Sequence, residues 1–320
     1  MRSLGSSLLG RLRSSWRVRG SRSRAAYRPS GPTDLPISPG TSIPWRSAAG
    51  GSSALRLLRG AVKELGSGFL EAVKAALRVN PKELSRYFEA RVVTEGVVKP
   101  PIAIRLDGVG FKKALKGFRK PRDVRVHNAL VKGAEALMKR FEALATYVVS
   151  DEVNAVIASP LPYGGRVFKL VSTSASILSS HVSVELGMPL YFDSRVIKLW
   201  SLSEAAAYLM YRARVGVSNY ISSTYHAVTG GGGSTPKAGY MLNYLAGLGL
   251  FKGVREWEVL GSCLTWSYVV KEGFNPLTGE GVKVLRRVVK VSPSYGECVR
   301  YLTRRLSYGG VGGRVGEAEA

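Results

Sequence analysis

Three acids in this chain fall where they could act together. Asp107 closes the short apolar run Ile102 to Leu106 and is followed at once by Gly108, the pattern of a buried strand running into a tight loop. Asp151 and Glu152 follow the run Ala145 to Val149 and precede Val153 to Ala158, so with Ser150 they form the tip of a hairpin. If those strands lie side by side, the carboxylates converge. Carboxylates a few ångströms apart repel one another unless a cation sits between them, and a divalent metal with oxygen ligands is the natural guest. Two such metals, about 3.5 to 4 Å apart, are the apparatus of in-line phosphoryl and nucleotidyl transfer. An ordinary Asp-Gly turn and a solvated hairpin tip are the alternative for the same residues.

Beside these acids lies the densest basic run of the folded part: Lys112, Lys113, Lys116, Arg119, Lys120, Arg122 and Arg125, with Asp123 the one acid among them. A metal-bound triphosphate needs such counter-charges, and loop N–H groups after Asp107-Gly108-Val109-Gly110 would add to them. The whole chain leans the same way. Its 320 residues hold 47 Lys and Arg against 22 Asp and Glu, a net charge of +25, which favours a polyanionic partner. A hydrophobic share of 45% excludes wholesale disorder, and no run approaches the roughly 20 apolar residues of a membrane-spanning helix. Three scattered histidines, His127, His181 and His226, give no zinc pattern, and two cysteines, Cys263 and Cys298, make no disulfide framework, so a reducing cytoplasm is expected. The absence of glutamine points weakly toward a hot environment.

The elements that must position these residues follow from the pattern. Residues 1 to about 50 are rich in Ser, Gly, Pro and Arg, with no lysine, and cannot bury enough surface to offset their ordering entropy. They suit a transit peptide, a nucleic-acid-binding arm or a translation start placed too early, and 1–78 is taken as an extension, disordered or absent from the native protein. Apolar spacing allows a helix over 54–77. From Pro101 the order is strand (102–106), helix (124–141), strand (145–149), strand (153–158), helix (168–186) and strand (190–199), followed by a helix over 203–214. That is β-α-β-β-α-β, an α+β fold with a split βαβ, ferredoxin-like sheet carrying helices on one face. A catalytic domain over 79–229 and a C-terminal region over 230–320 are expected. In the latter a helix over 240–248 precedes a hairpin turning at 274–279.

The short motifs Arg105-Leu106-Asp107-Gly108-Val109-Gly110-Phe111, Phe118-Arg119-Lys120-Pro121-Arg122-Asp123, Ser150-Asp151-Glu152, Arg166-Val167-Phe168-Lys169-Leu170-Val171-Ser172 and Phe192-Asp193-Ser194-Arg195-Val196 resemble, in order and spacing, those of the tRNA-histidine guanylyltransferase family. The resemblance runs from about Asn80 to about Pro293. It implies a polymerase-palm-like domain that adds nucleotides to the 5′ end of tRNA in the 3′-to-5′ direction, using GTP and ATP. By resemblance Asp107 and Asp151 bind two Mg2+ ions with the Gly108 carbonyl as a further ligand, and Glu152 lies beside them. Lys120, Ser150, Arg166, Lys169 and Arg195 hold triphosphate; Asp123 and the loop Val109, Gly110, Phe111 and Lys112 lie by the incoming nucleotide. It also implies a homo-oligomer, a tetramer, with no membrane partner.

The sequence departs from the eukaryotic pattern. Tyr208-Leu209-Met210-Tyr211-Arg212 leads into Val217-Ser218-Asn219-Tyr220, where the eukaryotic histidine is missing and Asn219 alone remains, and Lys112 stands where histidine is usual. These departures favour the template-dependent, archaeal type of activity. Lys283, Arg286, Arg287 and Lys290 alternate with valines and would offer one basic edge to a tRNA backbone. Gly230 to Gly233 lacks the order of a phosphate loop. A non-catalytic basic RNA-binding protein is the rival reading. A palm-type nucleotide cyclase is disfavoured, because the hairpin tip lacks the Gly-Gly-Asp/Glu-Glu-Phe loop.

Overall fold

Apolar runs bounded by Gly and Pro build one seven-stranded sheet in the computed structural model, which describes residues 68–158, 160–231 and 234–308. All of these lie in one unit, Arg46–Ala320; the other, Met1–Trp45, lies outside the described residues. The strands are β1 (Val92–Val93), β2 (Ile102–Gly108), β3 (Ala145–Val149), β4 (Glu152–Ile157), β5 (Phe192–Lys198), β6 (Ser262–Phe274) and β7 (Gly281–Ser292). Their spatial order is β1-β5-β2-β4-β3-β6-β7, and every neighbouring pair is antiparallel. Every residue of β3 and β4 is buried, because both faces of the sheet are covered and each strand needs apolar residues on both.

Nine α-helices are described: α1 (Phe69–Arg78), α2 (Pro81–Glu89), α3 (Phe111–Ala114), α4 (Val124–Phe141), α5 (Val167–Leu186), α6 (Leu202–Thr229), α7 (Ala238–Gly247), α8 (Glu256–Leu260) and α9 (Tyr295–Tyr308). The expectation of helices on one face is corrected. α4 and α5 pack on the face that carries Ile102, Ile104 and Leu106, whereas α1, α2, α6, α7 and α9 pack on the face that carries Ala103, Tyr147 and Ile197. Period-2 alternation along each strand divides the apolar residues between the two cores.

Local chemistry starts and stops these helices. Asn80 caps α2, its side chain accepting from the Lys82 and Glu83 N–H groups, and Pro81 fills the first turn. Asp123 caps α4. Ser201 caps α6 by accepting from Glu204 N at 3.2 Å. Glu204 is itself buried and takes hydrogen bonds from Tyr87 Oη, Arg91 Nη1 and Trp200 N, which locks α2 and the end of β5 to the long helix. α6 runs to Thr229 rather than to 214, since nothing after Arg214 breaks it before left-handed Gly230. Gly216 fits within it because a Cβ there would collide with Val149 of β3.

The chain is helical and packed from Phe69, so the last ten residues of the expected extension form a helix. Ala72, Val73, Ala75 and Ala76 are buried, and Tyr295 Oη donates to Ala72 O at 3.0 Å. The part of the expected helix before residue 68 lies outside the described residues. At the other end β6 pairs with β3, so the region beyond 230 extends the same sheet. The two cysteines, which gave no disulfide framework by sequence, are bonded as Cys263–Cys298, joining β6 to α9. The hairpin turns where expected, Asn275 N donating to Glu280 O at 2.9 Å.

Candidate active site

Sheet register brings the acids together. Asp107 on β2 stands directly opposite Glu152 on β4 and Asp193 on β5, so three carboxylates form a row across adjacent strands. One step back Arg105 stands opposite Asn154 and Arg195. Alternation places both rows on the α6 face, beyond Ala103 and Val156. Asp151 completes the group from the β3–β4 turn, where Ser150 takes a left-handed φ of 58° and the Gly108 N–H closes onto the Asp151 carbonyl at 3.1 Å.

The acids are not equivalent. Glu152 is buried and fully engaged: Arg212 of α6 donates to it through Nε at 2.7 Å and through Nη2, and Asn154 Nδ2 donates at 2.7 Å. Tyr208 Oη donates in turn to Asn154 Oδ1 at 2.7 Å. Glu152 therefore anchors the row instead of offering a free carboxylate. Asp107 has no such partner. Burial, followed by the charges of Asp151, Glu152 and Asp193, raises its pKa to about 6, with Arg105 opposing. Arg105 is itself held by Glu89 at 2.7 Å, and Asp193 meets Arg195 at 3.5 Å near the surface.

A cavity of about 700 Å3 opens beside Asp151. Phe111, Lys112, Lys120, Pro121 and Arg122 line one side, Ser150 and Asp151 another, and Ser223, Thr224, Ala227 and Val228 of α6 the far wall. Lys120 is steadied by donating to Leu115 O at 3.1 Å. Asp123 also lines the cavity, but its carboxylate is used as the cap of α4. It accepts from Arg119 N at 3.0 Å, from Arg125 N at 2.8 Å and from the Arg125 guanidinium, which holds its pKa far below the ordinary value.

Several other expected residues stand elsewhere. Arg166 and Lys169 begin α5, which starts beyond the end of β4 remote from the acids; with Arg195 and the exposed Asn219 they do not line the cavity. Val109 is exposed and donates to Tyr191 O at 2.9 Å, and left-handed Gly110 precedes the short α3. The expected single basic edge of β7 is corrected: Lys283 and Arg287 point to one face, Arg286 and Lys290 to the other. Arg287 lies 3.5 Å over the Trp266 ring and pairs with Glu142 at 2.7 Å.

The spacing of motifs missed Asp193, Arg122, His127 and the α6 wall. Arg122 counted only as one of seven bases, yet it is deeply set and its Nη2 has no partner. His127 follows the cap Asp123 by one helical turn. It stacks on Trp257 at 4.1 Å and shares a hydrogen bond of 2.8 Å with Ser262 Oγ. Burial, with Arg122 nearby, pushes its pKa down to about 4, so the ring is neutral at pH 7.

Residues 82–201 match the family model of tRNAHis guanylyltransferase. Over that segment the chain is similar to the tRNAHis guanylyltransferase family. The segment contains the acid row and the basic side of the cavity; the α6 wall lies beyond it. No curated protein matches the chain. A bacterial tRNA(His) guanylyltransferase-like protein in complex with GTP shares the fold at 20% identity and a TM-score of 0.53, covering 69% of this chain and 97% of its own. A bacterial protein of the same kind in complex with ATP shares the fold at 21% identity and a TM-score of 0.52, covering 71% of this chain and 96% of its own.

Among the described residues no group of three or more His, Cys, Asp or Glu side chains is arranged ready to hold a metal ion. The donors nonetheless suit one. Asp107 and Asp151 offer oxygen, the ligand type that Mg2+ prefers, and burial together with the neighbouring acids, only partly opposed by Arg105, disfavours the charge of Asp107 in the absence of a cation.

Proposed function

We propose that this enzyme is a magnesium-dependent 3′-to-5′ nucleotidyltransferase, which adds guanosine or a template-matched nucleotide to the 5′ end of tRNA. The observation that carries the reading is Asp107, an acid with no ion-pair partner among the described residues, standing in a row of carboxylates beside Asp151, which lines a cavity whose other side is basic. In this reading residues 79–229 form a palm-like catalytic domain and 230–320 a region that contacts tRNA and supports a tetramer.

Asp107 and Asp151, with the Gly108 carbonyl, would hold two magnesium ions. Bound there, magnesium would screen the phosphates and polarise the reacting phosphorus–oxygen bonds. The remaining work falls to this chain's own groups. Lys112, Lys120 and Arg122 neutralise triphosphate from the cavity side, so that two anions can meet. Arg212 and Asn154 keep Glu152 fixed, which holds the acid row rigid while charge redistributes. His127, held by Ser262, adds no charge of its own to the cavity lining. The 3′-hydroxyl of the incoming nucleotide attacks an activated 5′ phosphate, and AMP or pyrophosphate leaves.

A non-catalytic RNA-binding role needs the basic surface but gives no reason for the acids. A cytoplasmic site of action belongs to the same proposal, and a buried disulfide is compatible with it in proteins of hot environments. Incubation with labelled GTP and ATP and a tRNA lacking its 5′-terminal nucleotide, with and without the complementary base opposite, tests the reaction. Product only with the complementary base supports templated repair, and no product with either tRNA refutes the reading.

A further inference from the structure

Beyond the cavity wall the surface changes character. Tyr240 and Tyr244 are four residues apart on α7 and share one face of that helix. Their rings are close to parallel, 17° apart with centroids 6.5 Å from each other, and they are 59% and 39% exposed. Tyr225 of α6 backs both, tilted by 70° at 6.5 Å from Tyr240 and 5.4 Å from Tyr244. Tyr225 directly follows Thr224 and precedes Ala227 by two residues, both of which line the cavity, so the tyrosines sit on the outer side of its α6 wall.

The chain that carries them is basic up to Glu256. From Ala205 to Arg255 the chain contains no aspartate or glutamate, while Lys237, Lys252 and Arg255 are exposed. Exposed π-faces in cationic surroundings fit unpaired nucleotides, whose bases stack and whose phosphates are negative. A second copy of this face is a poor occupant, because a self-complementary contact would set cations against cations. Base-paired duplex is poor too, since its bases are already stacked.

We propose that Tyr240 and Tyr244, backed by Tyr225, are a stacking platform for the unpaired nucleotides that continue past the 5′ end held in the cavity. The inference rests on the reading of the substrate as RNA with a recessed 5′ end. It gives the enzyme a way to distinguish an end bearing a single-stranded 3′ extension from a blunt one.

The test uses the full chain and two fluorescent 5′-phosphorylated RNA duplexes, one blunt and one with an unpaired 3′ overhang, titrated by anisotropy. The overhang is expected to bind at least about fivefold more tightly to the unaltered protein, the lower bound for stacking one base. Tyr240→Ala with Tyr244→Ala should erase that preference and leave blunt-duplex affinity unchanged, while the double Tyr→Phe variant should keep it. A preference that survives the double alanine variant, or that disappears in the phenylalanine variant, overturns the proposal. So does a change of sedimentation in the alanine variant with the overhang preference intact, which would mark the face as a contact between copies. These outcomes read binding alone; loss of guanosine addition by the unaltered protein would instead refute the reading it rests on.

Discussion

At the residue scale, the site keeps a carboxylate where the fold opposes its charge. Asp107 has a pKa raised to about 6 through burial and three neighbouring acids, so its ionised form costs stability in the metal-free protein. The sign follows from linkage. A carboxyl raised above its unfolded value contributes full stability below about pH 4 and loses it as pH rises through about 6. Asp107→Asn should therefore stabilise the metal-free protein at neutral pH, by about 1 kcal/mol once solvent screening of this partly exposed group is allowed for, while abolishing nucleotide addition. Thermal melts at pH 7.5 and pH 4 in chelator check it: the gain should be present at the first and gone at the second. An equal gain at both, or none at either, would contradict the account of this residue. Glu152 is the contrasting case, since its charge is met by Arg212 and Asn154 and belongs to the fold.

At the scale of elements, β2, β3 and β4 were legible because largely or fully buried strands read as short apolar runs bounded by turn residues. The placement of Asp107 beside Asp151 and Glu152 followed from that order alone, before any register was known. Asp193 was hidden because its position depends on which residue of β5 faces Asp107, and pairing register is a tertiary fact. The α6 wall was hidden for a related reason. Ser223, Thr224, Ala227 and Val228 have no chemistry of their own and matter only because the helix continues past Arg214. Helices on both faces were missed because continuous apolar strands were not read as covered twice. The pairing of Cys263 with Cys298, 35 residues apart, was also beyond the sequence, since it depends on α9 returning to β6. Closing that loop should contribute about 3 to 4 kcal/mol by chain entropy. Calorimetry of Cys298→Ser should show Tm lower by about 10 °C for a unit of this size. An unchanged Tm would show that the bond adds nothing to the stability of the native protein.

At the scale of the whole molecule, the net charge of +25 favours a polyanionic partner but does not say what is done to it. The sheet supplies the difference. It gathers scarce acids in one row beside Asp151, which lines the cavity, and leaves bases on the other side of the cavity and on the β7 hairpin. Binding and chemistry should therefore separate cleanly. Removing an acid from a basic surface takes away no phosphate contact. The most direct measurement compares addition of labelled GTP to a 5′-truncated tRNA with tRNA affinity, in Asp107→Ala and Asp151→Ala. The account predicts that addition falls by about a thousandfold or more in each variant, while tRNA affinity stays within about twofold. Undiminished addition in both variants would contradict it.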